Sequence, residues 1–216
     1  MVDKIEIEQK VAEFLLQIKA IKLQPEKPFT WASGWKSPIY CDNRITLSHP
    51  TIRTYIRQKL AKLIQEEYGS IDLIAGVATA GIPQGVLVAQ ELGLPFIYVR
   101  AKAKEHGTGS LIEGEFQAGQ RVVVIEDLIS TGKSSIQAVE ALREAGCVVV
   151  GLAGIFSYGF ELAAENFRKA KCPFFTLSNY QALIQYAAAT QMIGESELKV
   201  LEMWRLEPQT WGVKTA

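Results

Sequence analysis

Excess charge is the first thing this sequence lacks. Lysine plus arginine and aspartate plus glutamate each number 23 in 216 residues, so the formal net charge at pH 7 is zero. A nucleic-acid-binding domain is usually basic. That partner class is therefore not expected, and any anion site must be a local concentration of charge. Cysteine is scarce too. Cys41, Cys147 and Cys172 are far apart, odd in number and without CxxC spacing, which argues against a disulfide scaffold or a zinc site and leaves buried thiols. No apolar run reaches the ~18 residues of a membrane span; Val148–Phe156 is about half that. The stretch from Asp3 to Lys10 is charged and lacks a signal peptide's apolar core. Repeats and low-complexity segments are absent. The expectation is a cytoplasmic globular protein, away from membranes, that buries roughly 70% of its unfolded surface.

What is present is organised around residues 121–135. Val122–Ile125 is an unbroken β-branched run, the pattern of a strand buried on both faces. It is expected to end at two acids, Glu126 and Asp127. Two apolar residues, Leu128 and Ile129, lead into the small polar turn Ser130-Thr131-Gly132-Lys133-Ser134. Ile136, Val139 and Leu142 then recur at helical spacing, and Gly146 closes the helix. A Ser/Thr/Gly turn at a helix start converges backbone N–H groups and a positive dipole end on a phosphate. A carboxylate repels phosphate and, being acceptor-only, suits a vicinal diol. One phosphate and one diol a few ångströms apart describe a ribose 5-phosphate.

Other patterns compete for the same stretch. Gly132-Lys133-Ser134 looks like the end of a Walker P-loop, but that motif needs glycine where this chain has Asp127. The dinucleotide fingerprint needs three spaced glycines before the helix, and only Gly132 is there. An ordinary strand–helix connection with surface acids is the remaining alternative.

Elsewhere, Val11, Phe14, Leu15 and Ile18 give residues 6–21 an amphipathic helix, ended by Pro25 and Pro28. Ser33-Gly34 between aromatic runs reads as a hairpin. A second helix is expected over 49–68, a strand over 71–77, a tight small-residue turn at 78–83, a helix over 84–93 and a strand over 95–99. Residues 100–110 concentrate Arg100, Lys102, Lys104 and His106 among small residues, as suits a loop closing over a polyanion. A strand over 147–156, a helix over 159–171, a strand over 174–177, helices over 180–191 and 195–205 and a loose tail from 207 complete the chain. Alternating strands and helices imply parallel βαβ units, with ligands beyond the strands' carboxyl ends.

Val122–Ser135 resembles the PRPP-binding motif of the type I phosphoribosyltransferases: apolar strand, two acids, two apolar residues, then the Ser/Thr-Gly loop. Ser33, Gly34, Ser37, Pro38 and Tyr40 resemble the hood signature of that family's orotate-specific branch. The resemblance implies an α/β fold, a mostly parallel twisted sheet flanked by helices with a small N-terminal hood. It divides the chain into 1–48 (helix and hood), 49–206 (core) and 207–216 (tail). It implies transfer of the phosphoribosyl group of PRPP to orotate with Mg²⁺, giving orotidine 5′-monophosphate and pyrophosphate. Arg100, Lys102, Lys104 and His106 become catalytic residues. Glu126, Asp127, Leu128, Ile129, Ser130, Thr131, Gly132, Lys133, Ser134, Thr79 and Ala80 become PRPP-binding, and Ser130 and Tyr40 orotate-binding. No metal ligands are expected from side chains, since PRPP and water would hold the ion. Unusual backbone geometry is expected near Ala78–Ala80, and a homodimer sharing the 100–113 loop across its interface. Alanine at 32 and 80 stands where other members carry lysine, and 156–160 holds no arginine for the orotate carboxylate. A phosphoribosyltransferase for a purine or uracil, or a non-catalytic PRPP-sensing regulator, are the alternative readings.

Overall fold

The computed structural model describes residues 4–31, 33–102 and 110–212. Strands β1 (Ile21–Leu23), β2 (Phe29–Thr30), β3 (Lys36–Ser37) and β4 (Ile39–Cys41) follow helix α1 (Lys4–Gln17). A 3₁₀ segment, Asn43–Ser48, leads to α2 (Pro50–Tyr68), then β5 (Leu73–Val77), α3 (Gly81–Leu92), β6 (Phe96–Val99) and β7 (Ile112–Glu113). Next come β8 (Arg121–Ile129), α4 (Lys133–Glu144), β9 (Val148–Ser157), α5 (Glu161–Lys169), β10 (Phe174–Asn179), α6 (Tyr180–Ala189) and α7 (Glu195–Leu206).

Six strands form one sheet in the order β10-β9-β8-β5-β6-β7, parallel except for β7. The run read as a two-sided strand is just that: Val122–Ile125 of β8 is buried at every position, as are all five positions of β5. Val123 and Ile125 pack into one core with α1, α2, α6 and α7, while Val122 and Val124 pack into the other with α4 and α5. Helices on both faces make the sheet doubly wound. Its connections reverse direction between β5 and β8, which places a ligand crevice beyond the carboxyl ends of those two strands.

Local boundaries moved for identifiable reasons. Helix α1 stops at Gln17 rather than 21, because Lys19 adopts φ 57° and Ile21–Leu23 pairs antiparallel with Ile39–Cys41. Helix α3 starts at Gly81, three residues earlier than expected. The 33–34 turn does form a hairpin, with Phe29 opposite Ser37 and Thr30 opposite Lys36. The largest correction concerns β8. It does not end before the acids: Glu126, Leu128 and Ile129 pair with Gly154, Phe156 and Ser157 of β9. The long neighbouring strand supplies backbone partners, so both acids sit inside the ladder.

Candidate active site

The crevice is built from the β5–α3 turn, the end of β8 and the loop to α4. A cis peptide joins Ala78 and Thr79 in the first of these, meeting the expectation of unusual geometry there. Gly81 opens α3 hard against β8: a Cβ on it would lie 2.5 Å from the Ile125 carbonyl oxygen and 3.5 Å from Glu126 Cα. Only glycine permits that approach, and it brings the 78–80 turn beside the acid pair.

The acids differ in environment. Glu126 is 5% exposed. Its carboxylate accepts from the Asp127 backbone N–H at 3.1 Å and from the Ser135 and Ser134 hydroxyls at 3.3 and 3.5 Å. Burial, and secondly the neighbouring Asp127 charge, push its carboxyl well above the ordinary carboxylate range. Asp127 is half-buried and also raised, chiefly by burial, against the opposing pull of its contact with Glu126 and of the Arg44 charge. Both carboxyls are therefore harder to ionise than ordinary ones. Asp127 is the more accessible carboxylate.

Beyond the strand, Ser130, Thr131, Gly132, Lys133 and Ser134 surround a cavity of about 360 Å³ at the N-terminus of α4. Gly132 takes φ 76° and begins the helix, so successive N–H groups turn inward as an anion nest. A second cavity, about 330 Å³, adjoins it and shares Leu128 and Ser130. Trp31, Tyr40 and Tyr158 give it aromatic walls, and Thr30 and Cys41 complete them. Tyr40 and Ser130 are thus together in one cavity.

Other expected residues are distributed differently. Ile129 is fully buried in the core on the α4 face, so its side chain takes no part in the crevice. Arg100 pairs with Glu113 at 3.2 Å and lines a third cavity, about 250 Å³, with Ala78, Ser134, Glu140 and Glu144. Lys102 is exposed at the end of the described segment. Lys104 and His106 lie outside the described residues.

Several residues escaped the sequence reading. Asn43 is fully buried and donates from Nδ2 to the Asp127 carbonyl at 2.6 Å. Its own Oδ1 accepts from Cys41 Sγ at 3.3 Å, and its carbonyl from Thr46 Oγ1 at 2.6 Å. Gln84 of α3 donates to that same Thr46 hydroxyl at 3.1 Å. One chain of hydrogen bonds therefore ties the base-cavity wall, the acid strand and α3. Behind the anion nest, Asn166 of α5 donates to the Thr131 carbonyl at 3.0 Å. A Cβ at Gly132 would stand 2.7 Å from the Phe167 ring. The Ser-Pro-x-Tyr-Cys-Asp-Asn run contained Asn43, but nothing in sequence spacing says which carbonyl it reaches.

The Phosphoribosyl transferase domain profile matches residues 46–189, two-thirds of the chain. The chain belongs to this family. Within the phosphoribosyltransferases, it is 55% identical over 205 residues to the orotate phosphoribosyltransferase of Phocaeicola vulgatus, covering 95% of this chain and 97% of that one. Among solved structures it resembles the orotate phosphoribosyltransferase of Aeropyrum pernix, with TM-score 0.74, 27% identity and 85% and 99% of the two chains covered. It also resembles Leishmania donovani UMP synthase, with TM-score 0.78 and 29% identity over 92% of this chain, and spans 42% of that longer protein. Membership of this family removes the two alternatives with a nucleotide-binding glycine motif.

Proposed function

We propose that this phosphoribosyltransferase transfers the phosphoribosyl group of PRPP to orotate, forming orotidine 5′-monophosphate and pyrophosphate. The observation that carries the reading is the pair of adjoining cavities sharing Leu128 and Ser130: one an anion nest, the other a slot walled by three aromatic rings. A ribose bridging them lies over the end of β8, where Asp127 and Glu126 accept hydrogen bonds from its hydroxyls. The C1–O bond to pyrophosphate breaks, N1 of the deprotonated base forms the new bond to C1, and no nucleophile from the protein is needed. Binding the diol favours the ionised form of the acids, and their charge stabilises the positive character that develops on the ring.

Magnesium belongs to the same proposal. Among the described residues no cluster of three or more His, Cys, Asp or Glu could cage a metal. The adjacent Glu126 and Asp127 carboxyls nevertheless suit an ion held mainly by ligand oxygens and water, as Mg²⁺ prefers. When bound, it supplies charge neutralisation to the leaving pyrophosphate.

We place Arg100, Lys102, Lys104 and His106 at the pyrophosphate. Arg100 is held by Glu113 against the acidic face of α4, across Ser134 from the anion nest. The resemblance to the family adds a homodimer in which the 100–113 segment is shared across the interface. No helix among the described residues is long and apolar enough to cross a membrane; the three cysteines are free thiols, and action in the cytoplasm is part of the proposal. The test is direct: with PRPP and Mg²⁺ added, orotate absorbance falls, while uracil, adenine and guanine are not consumed. Consumption of one of those bases in preference to orotate would reassign the substrate.

A further inference from the structure

The base proposed for the aromatic cavity is a carboxylate, yet none of the residues lining that cavity is a cation. Burying a carboxylate against Trp31, Tyr40 and Tyr158 without a charged donor is costly. Arg44, three residues beyond the lining residue Cys41, already spends its fork on Asp42, at 2.7 and 2.9 Å from the two carboxylate oxygens. A different cation reaches the cavity wall. Lys36 lies directly across the β2–β3 hairpin from Thr30, and its Nζ donates to the Thr30 hydroxyl at 2.8 Å. Thr30 is part of the wall.

This lysine is held in place. Its carbonyl accepts from Trp204 Nε1 at 3.1 Å, which anchors the strand to α7. The backbone at Gly212 packs against its stem, since a Cβ there would lie 3.3 Å from Lys36 Cβ. The donor arithmetic also fits. An ammonium has three N–H donors and no acceptor, and one of them goes to Thr30. The Thr30 oxygen, accepting from the ammonium, keeps its own hydrogen for another acceptor. Two donors, one charged and one neutral, thus stand at the rim of a flat aromatic slot.

We propose that Lys36 and the Thr30 hydroxyl together recognise the carboxylate of the base substrate, and so set the preference for a carboxylated pyrimidine over the same ring without the carboxyl. The inference rests on orotate being the substrate. It gives the hairpin a task beyond covering the cavity: the cation that the 156–160 segment does not provide comes from the hairpin packed beside it.

The test compares the wild type with Lys36→Gln and Lys36→Arg, measuring KM for orotate, KM for PRPP and inhibition by uracil. A charge-assisted hydrogen bond at a partly exposed rim predicts that Lys36→Gln raises the orotate KM about tenfold, whereas Lys36→Arg keeps it within about threefold. The PRPP KM and the uracil inhibition constant stay unchanged, because neither depends on a carboxylate at the base. A merely structural role for Lys36 would weaken uracil and orotate together, and that result overturns the proposal. So does an orotate KM unmoved in Lys36→Gln while the wild type turns orotate over. If the wild type forms no product from orotate and PRPP, the assigned reaction itself fails and this inference falls with it.

Discussion

Asn43 and Asp127 are 84 residues apart, and the side-chain amide of one donates to the backbone carbonyl of the other at 2.6 Å. The bond fixes the strand at Asp127, the more accessible member of the acid pair. Replacing Asn43 by alanine leaves the Asp127 carbonyl without that donor, at a cost of about 1–3 kcal/mol. Asn43→Ala is expected to lower the denaturation midpoint and to raise the PRPP KM more than the orotate KM. A PRPP KM equal to the wild-type value would confine Asn43 to stability.

Glu126 gives a prediction about pH. Burial and the Asp127 charge raise its folded-state pKa above the ordinary 4.5, so the empty native protein holds this proton more tightly than the unfolded chain does. Stability from this group is intact below about pH 4.5 and is lost as pH rises through the folded value. Glu126→Gln removes the buried charge. Its melting temperature should match the wild type near pH 4 and exceed it at pH 8, by about 2–4 °C for each kcal/mol relieved. PRPP affinity should fall in the same variant. A wild-type melting temperature that equals or exceeds the variant's at pH 8 would show that Glu126 is not destabilised when ionised.

The anion nest can be disturbed from behind. Gly132→Ala forces a side chain into φ 76° and against Phe167, and should cost about 1–3 kcal/mol in stability with a large loss of PRPP binding. Asn166→Ala is the milder companion. It frees the Thr131 carbonyl and should raise the PRPP KM several-fold while leaving the orotate KM alone. Titration with PRPP in the absence of orotate separates the two effects.

For the basic loop, Lys104→Ala should lower turnover at least tenfold, the loss of one charge-assisted contact to the departing pyrophosphate. Thermal unfolding should be unchanged. Full turnover in the variant would remove Lys104 from the reaction.

Much of this was legible in the sequence, and the limits have physical causes. The β-branched run of β8 announces two-sided burial, and the small polar turn after Ile129 announces an anion nest, because both depend on local chemistry. The end of β8 was misplaced at Ile125, since strand length is set by the neighbour β9 rather than by the acids themselves. Asn43, Gln84 and Asn166 were not found for the same reason. Each acts on a carbonyl or hydroxyl distant in sequence, and a lone amide side chain has no periodicity that would reveal its partner. Tyr158 is one of three aromatic residues between 156 and 160, and nothing in that run says which ring faces the cavity.

The indole of Trp204 touches Trp31, Tyr158, Phe160 and Tyr180, with ring centroids 5.5–5.8 Å apart, and holds the Lys36 strand by one hydrogen bond. Helix α7 therefore shapes a chamber whose lining comes from residues 30–41 and 128–158. Trimming the chain ahead of this tryptophan should first blur the choice between bases, with sugar-phosphate capture by the nest surviving. Selectivity and catalysis in this molecule would then fail at different lengths of chain.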